Sequence, residues 1–204
     1  MIVHENIVQG SAEWFALKIG KLSTSNFGRA MSNGRGTDSM GATATTYAKD
    51  LAIERLTGVI TEFPETYHME RGTKLEPEAR KYYEETYFDV VTEIGGIENH
   101  GFFCSTDGLI GDDKVLEIKC PKASNHFDYL LDNSKFINKY KPQIQGELWL
   151  SERKICIFVS YHPDFNQQVV LEIPRDEDYI QKLVRRTKLM EKTIKEYVKQ
   201  IQNL

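Results

Sequence analysis

The chain has 204 residues, of which 40% are hydrophobic and 27% charged, with a formal net charge of −4 at pH 7. That is the make-up of one globular domain spanning 1–204, with no apolar run approaching a membrane span. The negative balance argues against a nucleic-acid binder that works by overall basicity. It leaves room for carboxylates that hold a metal and for basic residues gathered on one surface.

In chain order, Ser11 to Gly20 predicts a short helix capped by Ser11, with Trp14, Leu17 and Ile19 turned inward. Ser32 to Thr46 is rich in Gly, Ser and Thr and predicts a mobile loop. Gly36 to Thr43 has the glycine spacing of a phosphate loop, but Ala42 stands where the lysine belongs and no strand precedes it, so a nucleoside triphosphatase is set aside. Helices follow at Tyr47 to Leu56, stopped by Gly58, and at Leu75 to Phe88. Val90 to Ile94, Gly101 to Cys104 and Val115 to Lys119 predict strands. Asn125 to Leu131 and Pro142 to Leu150 predict helices, and Lys154 to Tyr161 with Gln168 to Ile173 a β-pair. Asp176 caps an amphipathic helix over about 176–202, on which Ile180, Leu183, Val184, Met190, Ile194, Val198 and Ile201 recur at helical steps. This order suits an α/β (α+β) domain with a central mixed sheet flanked by helices.

The start, MIVHENIVQG, lacks a basic stretch followed by an apolar one, so no leader is expected. The three cysteines, Cys104, Cys120 and Cys156, are scattered and odd in number. They predict reduced thiols in a cytoplasmic setting and argue against an iron–sulfur cluster, which needs four ligands. The five histidines show no metal-ligand spacing and are expected to be ordinary; Trp14, Trp149, Tyr82, Tyr83 and Tyr87 are expected in the core.

The chemistry concentrates in Ser105 to Pro121, STDGLIGDDKVLEIKCP, which predicts two strands joined by a Gly/Asp turn with Asp107 at the end of the first. On the second strand Val115, Glu117 and Lys119 share one face, and Leu116 and Ile118 share the other, which wants a core. Two carboxylates brought close need a positive charge between them. A hard divalent cation bound by oxygen meets that need, with the rest of its shell left to water and phosphate. The blander alternative is a turn with a solvated Glu/Lys face.

Asp107 followed by Glu117-x-Lys119, inside S-x-D-G-L and L-E-x-K-C-P, resembles the phage lambda-type exonuclease branch of the PD-(D/E)XK nucleases. Thr106 replaces the proline of the family name, which is not a ligand. The resemblance runs from about Ile7 to Asp178 and implies a restriction-endonuclease-like core. It implies one or two Mg²⁺ ions, replaceable by Mn²⁺, held by Asp107, Glu117, the backbone carbonyl of Ile118 and Glu76, with Glu78 the near rival of Glu76. Lys119 would orient a water for in-line attack on the scissile phosphate. ALKIGKLSTSNF and YKPQIQGELW resemble the family's phosphate-pocket and glutamine motifs. They imply Lys18, Ser25 and Gln145 around a terminal 5′ phosphate, with Arg35 reaching it from the loop and Gln143 beside the active site. Lys18 stands where the family has arginine and lacks the bidentate fork. Met69 falls where the family can place a strand-separating wedge, with core packing the better expectation.

The resemblance thus implies a 5′→3′ exonuclease acting on double-stranded DNA ends and leaving 3′ overhangs for recombination. It further implies a toroidal homotrimer, a single-strand annealing protein as partner and the cytoplasm of a bacterial host. Two alternatives stand beside it: an endonuclease of the same superfamily, and a DNA-binding protein without catalysis, against which the intact Asp107, Glu117 and Lys119 speak.

Overall fold

The computed structural model describes residues 1–36, 39–61 and 67–204, with the side chains of 67–69 left out. The elements are β1 (Ile2–His4), α1 (Ala12–Lys18), a 3₁₀ turn at Thr24–Asn26, α2 (Phe27–Ala30), α3 (Ala42–Thr57), α4 (Tyr67–Tyr87), β2 (Val91–Thr92), β3 (Gly96–Asn99), β4 (Phe102–Cys104), β5 (Gly108–Ile110), β6 (Lys114–Lys119), α5 (Ala123–Leu131), α6 (Asn133–Ser151), β7 (Ile155–Ser160), β8 (Val169–Pro174) and α7 (Glu177–Gln202). They build a mixed α/β fold. Five strands form one sheet in the order β2-β5-β6-β7-β8, antiparallel except for the parallel pair β6–β7. The parallel pair requires a long crossover, which α5 and α6 supply. Strands β1, β3 and β4 make a second, antiparallel sheet. Among the described residues no helix is long and apolar enough to cross a membrane.

The alternation along β6 divides the interior in two. Leu116 and Ile118 join Ile110, Ile157 and Val159 under Ala79 and Tyr83 of α4. Val115 points the other way, into the larger core with Phe158, Ile144 and Leu148 and with the apolar faces of α3 and α7. The β6 face expected to want a core has one, packed by α4, and that packing brings α4 to the hairpin.

Several boundaries differ from expectation. α3 begins at Ala42, so the loop is shorter than Ser32 to Thr46 and is closed by a bridge between Asn33 and Met40; Thr37 and Asp38 lie outside the described residues. α4 starts at Tyr67 and runs through Gly72 and Pro77, which propensity marks as breakers. α6 starts at Asn133 rather than after Pro142, with Asp132 accepting from Ser134 N–H at 3.1 Å. Its first half is held by Phe136, stacked on Phe158 at 3.9 Å between centroids, a tertiary contact that overrides the proline. Trp14, Leu17 and Ile19 are half-buried rather than core, and Tyr87 is exposed. The expected caps do form: Ser11 accepts from Trp14 N–H, and Asp176 from Tyr179 N–H.

Candidate active site

The hairpin β5–β6 sets the geometry. Asp107 immediately precedes β5, so it stands at the start of that strand and not at its far end. Its own N–H donates to Leu116 O at 3.0 Å. Thr106, fully buried, donates its hydroxyl to the same carbonyl at 2.7 Å, a bond that proline could not make. The next rung is made by a side chain: Ile118 N–H donates to Asp107 Oδ2 at 2.6 Å. The Ile118 carbonyl lies on the same edge of β6 as its N–H, and so faces Asp107. Gly108 allows β2 to lie this close, because a Cβ there would sit 2.2 Å from the Val91 side chain.

Glu117 is 1% exposed. Its Oε1 accepts from Gln143 Nε2 at 2.7 Å and pairs with the Lys119 ammonium, while its Oε2 is buried with no hydrogen-bond partner among the described residues. Glu76, reached from α4, accepts from Arg80 at 2.6 Å, and Arg80 also pairs with Glu93 at 2.8 Å. Glu78 turns away and accepts from Tyr161 Oη at 2.5 Å, so of the two rivals only Glu76 approaches the hairpin.

The charges respond to this crowding. Burial, then the charges of Glu117 and Glu76, hold the Asp107 carboxyl well above the usual carboxylate range. Burial also raises Glu76, with Arg80 opposing and Glu117 adding to the rise. Burial works against the Lys119 ammonium, but Glu117 and Asp107 outweigh it and push the lysine above its ordinary value. The neighbouring carboxylates thus favour the protonated form of Lys119.

These features fit a divalent cation. An unpartnered buried carboxylate oxygen, two carboxyls raised first by burial and then by neighbouring carboxylates, and a carbonyl facing the same space form an all-oxygen donor set for a hard ion. No group of three or more His, Cys, Asp or Glu side chains is already drawn into a metal shell among the described residues. Arg80, Gln143 and the Ile118 N–H each hold one carboxylate instead.

Asp107 and Glu76 line a cavity of about 1450 Å³ that Lys18, Ser25, Ser23, Tyr47 and Glu54 line as well. Lys18 rests its ammonium 3.8 Å from the centre of the Trp14 ring, and burial lowers its pKa to about 8 despite Glu54. Ser25 shares a hydrogen bond of 3.2 Å with Ser23. Glu54, unmarked by any motif, accepts from Gly20 N–H at 2.8 Å and Thr61 N–H at 3.1 Å, fixing the turn that follows α1.

Three of the residues expected near the DNA are engaged or placed elsewhere. Gln145 is buried on the other side of α6, where it donates to Pro174 O at 3.0 Å and accepts from Asp176 N–H at 2.8 Å, tying α6 to the start of α7. Gln143 is beside the active site, but both of its N–H groups are engaged, one on Glu117 and one on Glu147 at 2.8 Å, leaving none for a phosphate. Arg35 is exposed on its loop and does not line the cavity. The Met69 side chain lies outside the described residues. The sequence reading missed Arg80, Glu54 and Glu147; a Glu four residues after Gln143 in Q-I-Q-G-E was the visible signal for the last.

Comparison with known proteins matches residues 13–154 to the YqaJ-like viral recombinase domain. The chain is similar to the crystal structure of an alkaline exonuclease from Laribacter hongkongensis, with 30% identity, a TM-score of 0.85 and coverage of 95% of this chain and 97% of that one. A structure of the same enzyme in complex with dAMP matches equally. A phage-related exonuclease from Haemophilus somnus shares the fold, with a TM-score of 0.78 at 16% identity, covering 89% of this chain and 96% of that one. Comparison with curated proteins finds no match.

Proposed function

This chain belongs to the YqaJ-like viral recombinase family, and from that premise we propose that it is a metal-dependent 5′→3′ exonuclease of linear double-stranded DNA. The observation that carries the reading is the shared cavity: carboxylates suited to a cation and a lysine suited to a terminal phosphate line the same space. An enzyme that removes nucleotides from an end has to hold the end and the scissile bond together, and a cavity of this size has room for both.

Asp107, Glu76, Glu117 and the Ile118 carbonyl would hold Mg²⁺, or Mn²⁺ in its place. When bound, the ion acidifies a water and offsets charge on the phosphate. The protein's own part can be stated from its geometry. Asp107 is locked by Ile118 N–H, so a ligand position is fixed before substrate arrives. Lys119, held protonated, presents a fixed positive charge beside the carboxylates, where a phosphate's developing negative charge is stabilised. Arg80 holds Glu76 in reach of the hairpin. Lys18 and Ser25 offer a cation and a hydroxyl to the 5′ phosphate. Attack by water on phosphorus breaks its bond to the 3′ oxygen, which leaves with a proton and frees a nucleoside 5′-monophosphate. The remaining strand then begins with a new 5′ phosphate.

We also read the protein as a ring-shaped homotrimer that feeds 3′ overhangs to an annealing partner, on the strength of the family resemblance. The test of the core reading is a time course with Mg²⁺ on a linear duplex labelled at a 5′-phosphorylated end, beside the same sequence as a closed circle. Loss of 5′ nucleotides from the linear form with the circle intact is expected. Nicking of the circle would make the enzyme an endonuclease.

A further inference from the structure

Behind the carboxylates lies one more acid, which the chemistry above has not used. Glu147 stands one turn after Gln143 on α6 and is 0% exposed. Its Oε1 accepts from Gln143 Nε2 at 2.8 Å, and its Oε2 has no hydrogen-bond partner among the described residues. The thiols of Cys104 and Cys156 are buried near it, and after burial itself its charge is what most holds both of them up. A carboxyl in such surroundings is costly. For stability alone, an apolar residue of the same shape would serve the fold as well or better.

What Glu147 does supply is the second acceptor for Gln143. A primary amide has two N–H donors and, about its last torsion, two nearly equivalent orientations. With only the Glu117 bond to hold it, the amide can turn over and set its oxygen against the Glu117 carboxylate, acceptor facing acceptor. With both N–H groups engaged on carboxylates, the turned-over form loses both bonds at once and meets two repulsions. Gln143 then has one orientation, and Glu117 keeps Oε1 on the amide and Oε2 unengaged.

We propose that Glu147 is a positioning residue: by holding the second N–H of Gln143 it fixes the Glu117 carboxylate with its free oxygen presented for a divalent cation. This rests on the reading of Glu117 as a metal-holding group. Glu147 itself touches neither substrate nor metal.

The experiment is calorimetric titration of Mn²⁺ into the DNA-free protein, with thermal melting as a check on folding. Glu147→Met, which keeps the shape and removes both oxygens, is expected to weaken Mn²⁺ binding about tenfold. Glu147→Gln can accept the same bond through its amide oxygen and is expected to stay within about threefold of wild type. In a Gln143→Met background, Glu147→Met is expected to cause no further loss, as two members of one relay must. Unchanged affinity in Glu147→Met would overturn the proposal. So would equal losses in the Gln and Met variants, which would make Glu147 a charge or a ligand in its own right. If Glu147→Met does not fold, Gln143→Met alone and paired with Glu147→Gln decide the matter: the single variant has to lose about tenfold, and any further loss in the pair overturns the relay. Absence of Mn²⁺ binding by wild type and by Asp107→Ala alike would instead sink the metal reading, and the relay with it.

Discussion

The two walls of the cavity are made differently. On the carboxylate wall, Asp107 is held by a backbone N–H and Glu76 by Arg80, and behind them Glu117 is held by Gln143. On the lysine wall Lys18 ends a two-turn helix with no buried residue and rests on the face of Trp14, with no hydrogen-bonded partner for its ammonium among the described residues. One wall is fixed in advance by donors that leave a single geometry. The other has a cation that can shift. Metal coordination demands preset distances, whereas a terminal phosphate with three oxygens can be met from several directions by a lysine, which acts as a point charge. Damage to the first wall should therefore abolish turnover, and damage to the second should change which ends are preferred.

The largest effect belongs to Asp107. Asp107→Ala removes the rung that holds Ile118 and, on the proposed reading, a metal ligand, so turnover of the linear duplex should fall by about 10³-fold or more. Lys119→Met should lower it by about 10²-fold, since the stabilising cation is lost while the carboxylates remain. DNA binding, measured with Ca²⁺ in place of Mg²⁺, should persist in both. Turnover near wild type in Lys119→Met would remove that residue from the reaction.

A pH test probes the same wall without mutation. Asp107 and Glu76 have raised carboxyl pKa values when folded, so the folded state holds their protons more tightly than the unfolded chain. Their contribution to stability is therefore present at low pH and is lost as pH rises from about 4, the unfolded value, through the raised folded values. On the metal-dependent reading, Mg²⁺ would replace those protons. The rise in melting temperature on adding Mg²⁺ should be small in mild acid and should grow with pH. An increment that does not change with pH would mean the ion binds elsewhere.

The sequence showed one wall far better than the other, for a physical reason. Asp107, Glu117 and Lys119 lie on one hairpin, so local spacing and strand alternation already bring them together. Lys18, Ser25 and Glu76 come from separate helices, and only a family resemblance could place them. Gln143 and Gln145 mark the limit of that approach. They are two residues apart on α6 and face opposite ways, so one meets Glu117 while the other ties down the start of α7. A motif gives residue types, but the face each residue takes depends on how the helix is packed. α6 extends before Pro142, which propensity marks as its start, because Phe136 packs on Phe158, and α4 begins at Tyr67 rather than Leu75, running through Gly72, which propensity marks as a breaker.

The lysine wall can be tested by pH as well. The Lys18 ammonium loses its proton at about pH 8, so its pull on an anion is present below that pH and lost above it. The ratio of kcat/KM for 5′-phosphorylated over 5′-hydroxyl ends, which reports the free enzyme, should fall by about tenfold between pH 7 and about pH 9.5. Lys18→Ala should show the low ratio at every pH. Lys18→Arg cannot lose its charge in this range and should keep the high ratio throughout. A wild-type ratio that stays flat with pH would exclude Lys18 from holding the phosphate.

The smallest effect separates the two glutamates of α4. Glu76 and Glu78 are two residues apart, and on a helix that places them on different faces. Glu76 looks into the cavity with Arg80 on it, and Glu78 is exposed and accepts from the hydroxyl of the buried Tyr161. An exposed group bound to one hydroxyl contributes little. Glu78→Gln should therefore leave turnover within about twofold of wild type, while Glu76→Gln, which removes a carboxylate from the metal wall, should lower it by about 10²-fold. If the two losses were reversed in size, the helix would have to be turned by about 160° about its axis, given about 100° per residue over two positions. That turn would carry Ala79 and Tyr83 out of the core against Leu116 and Ile118, so a reversal would also have to appear as a collapse in stability.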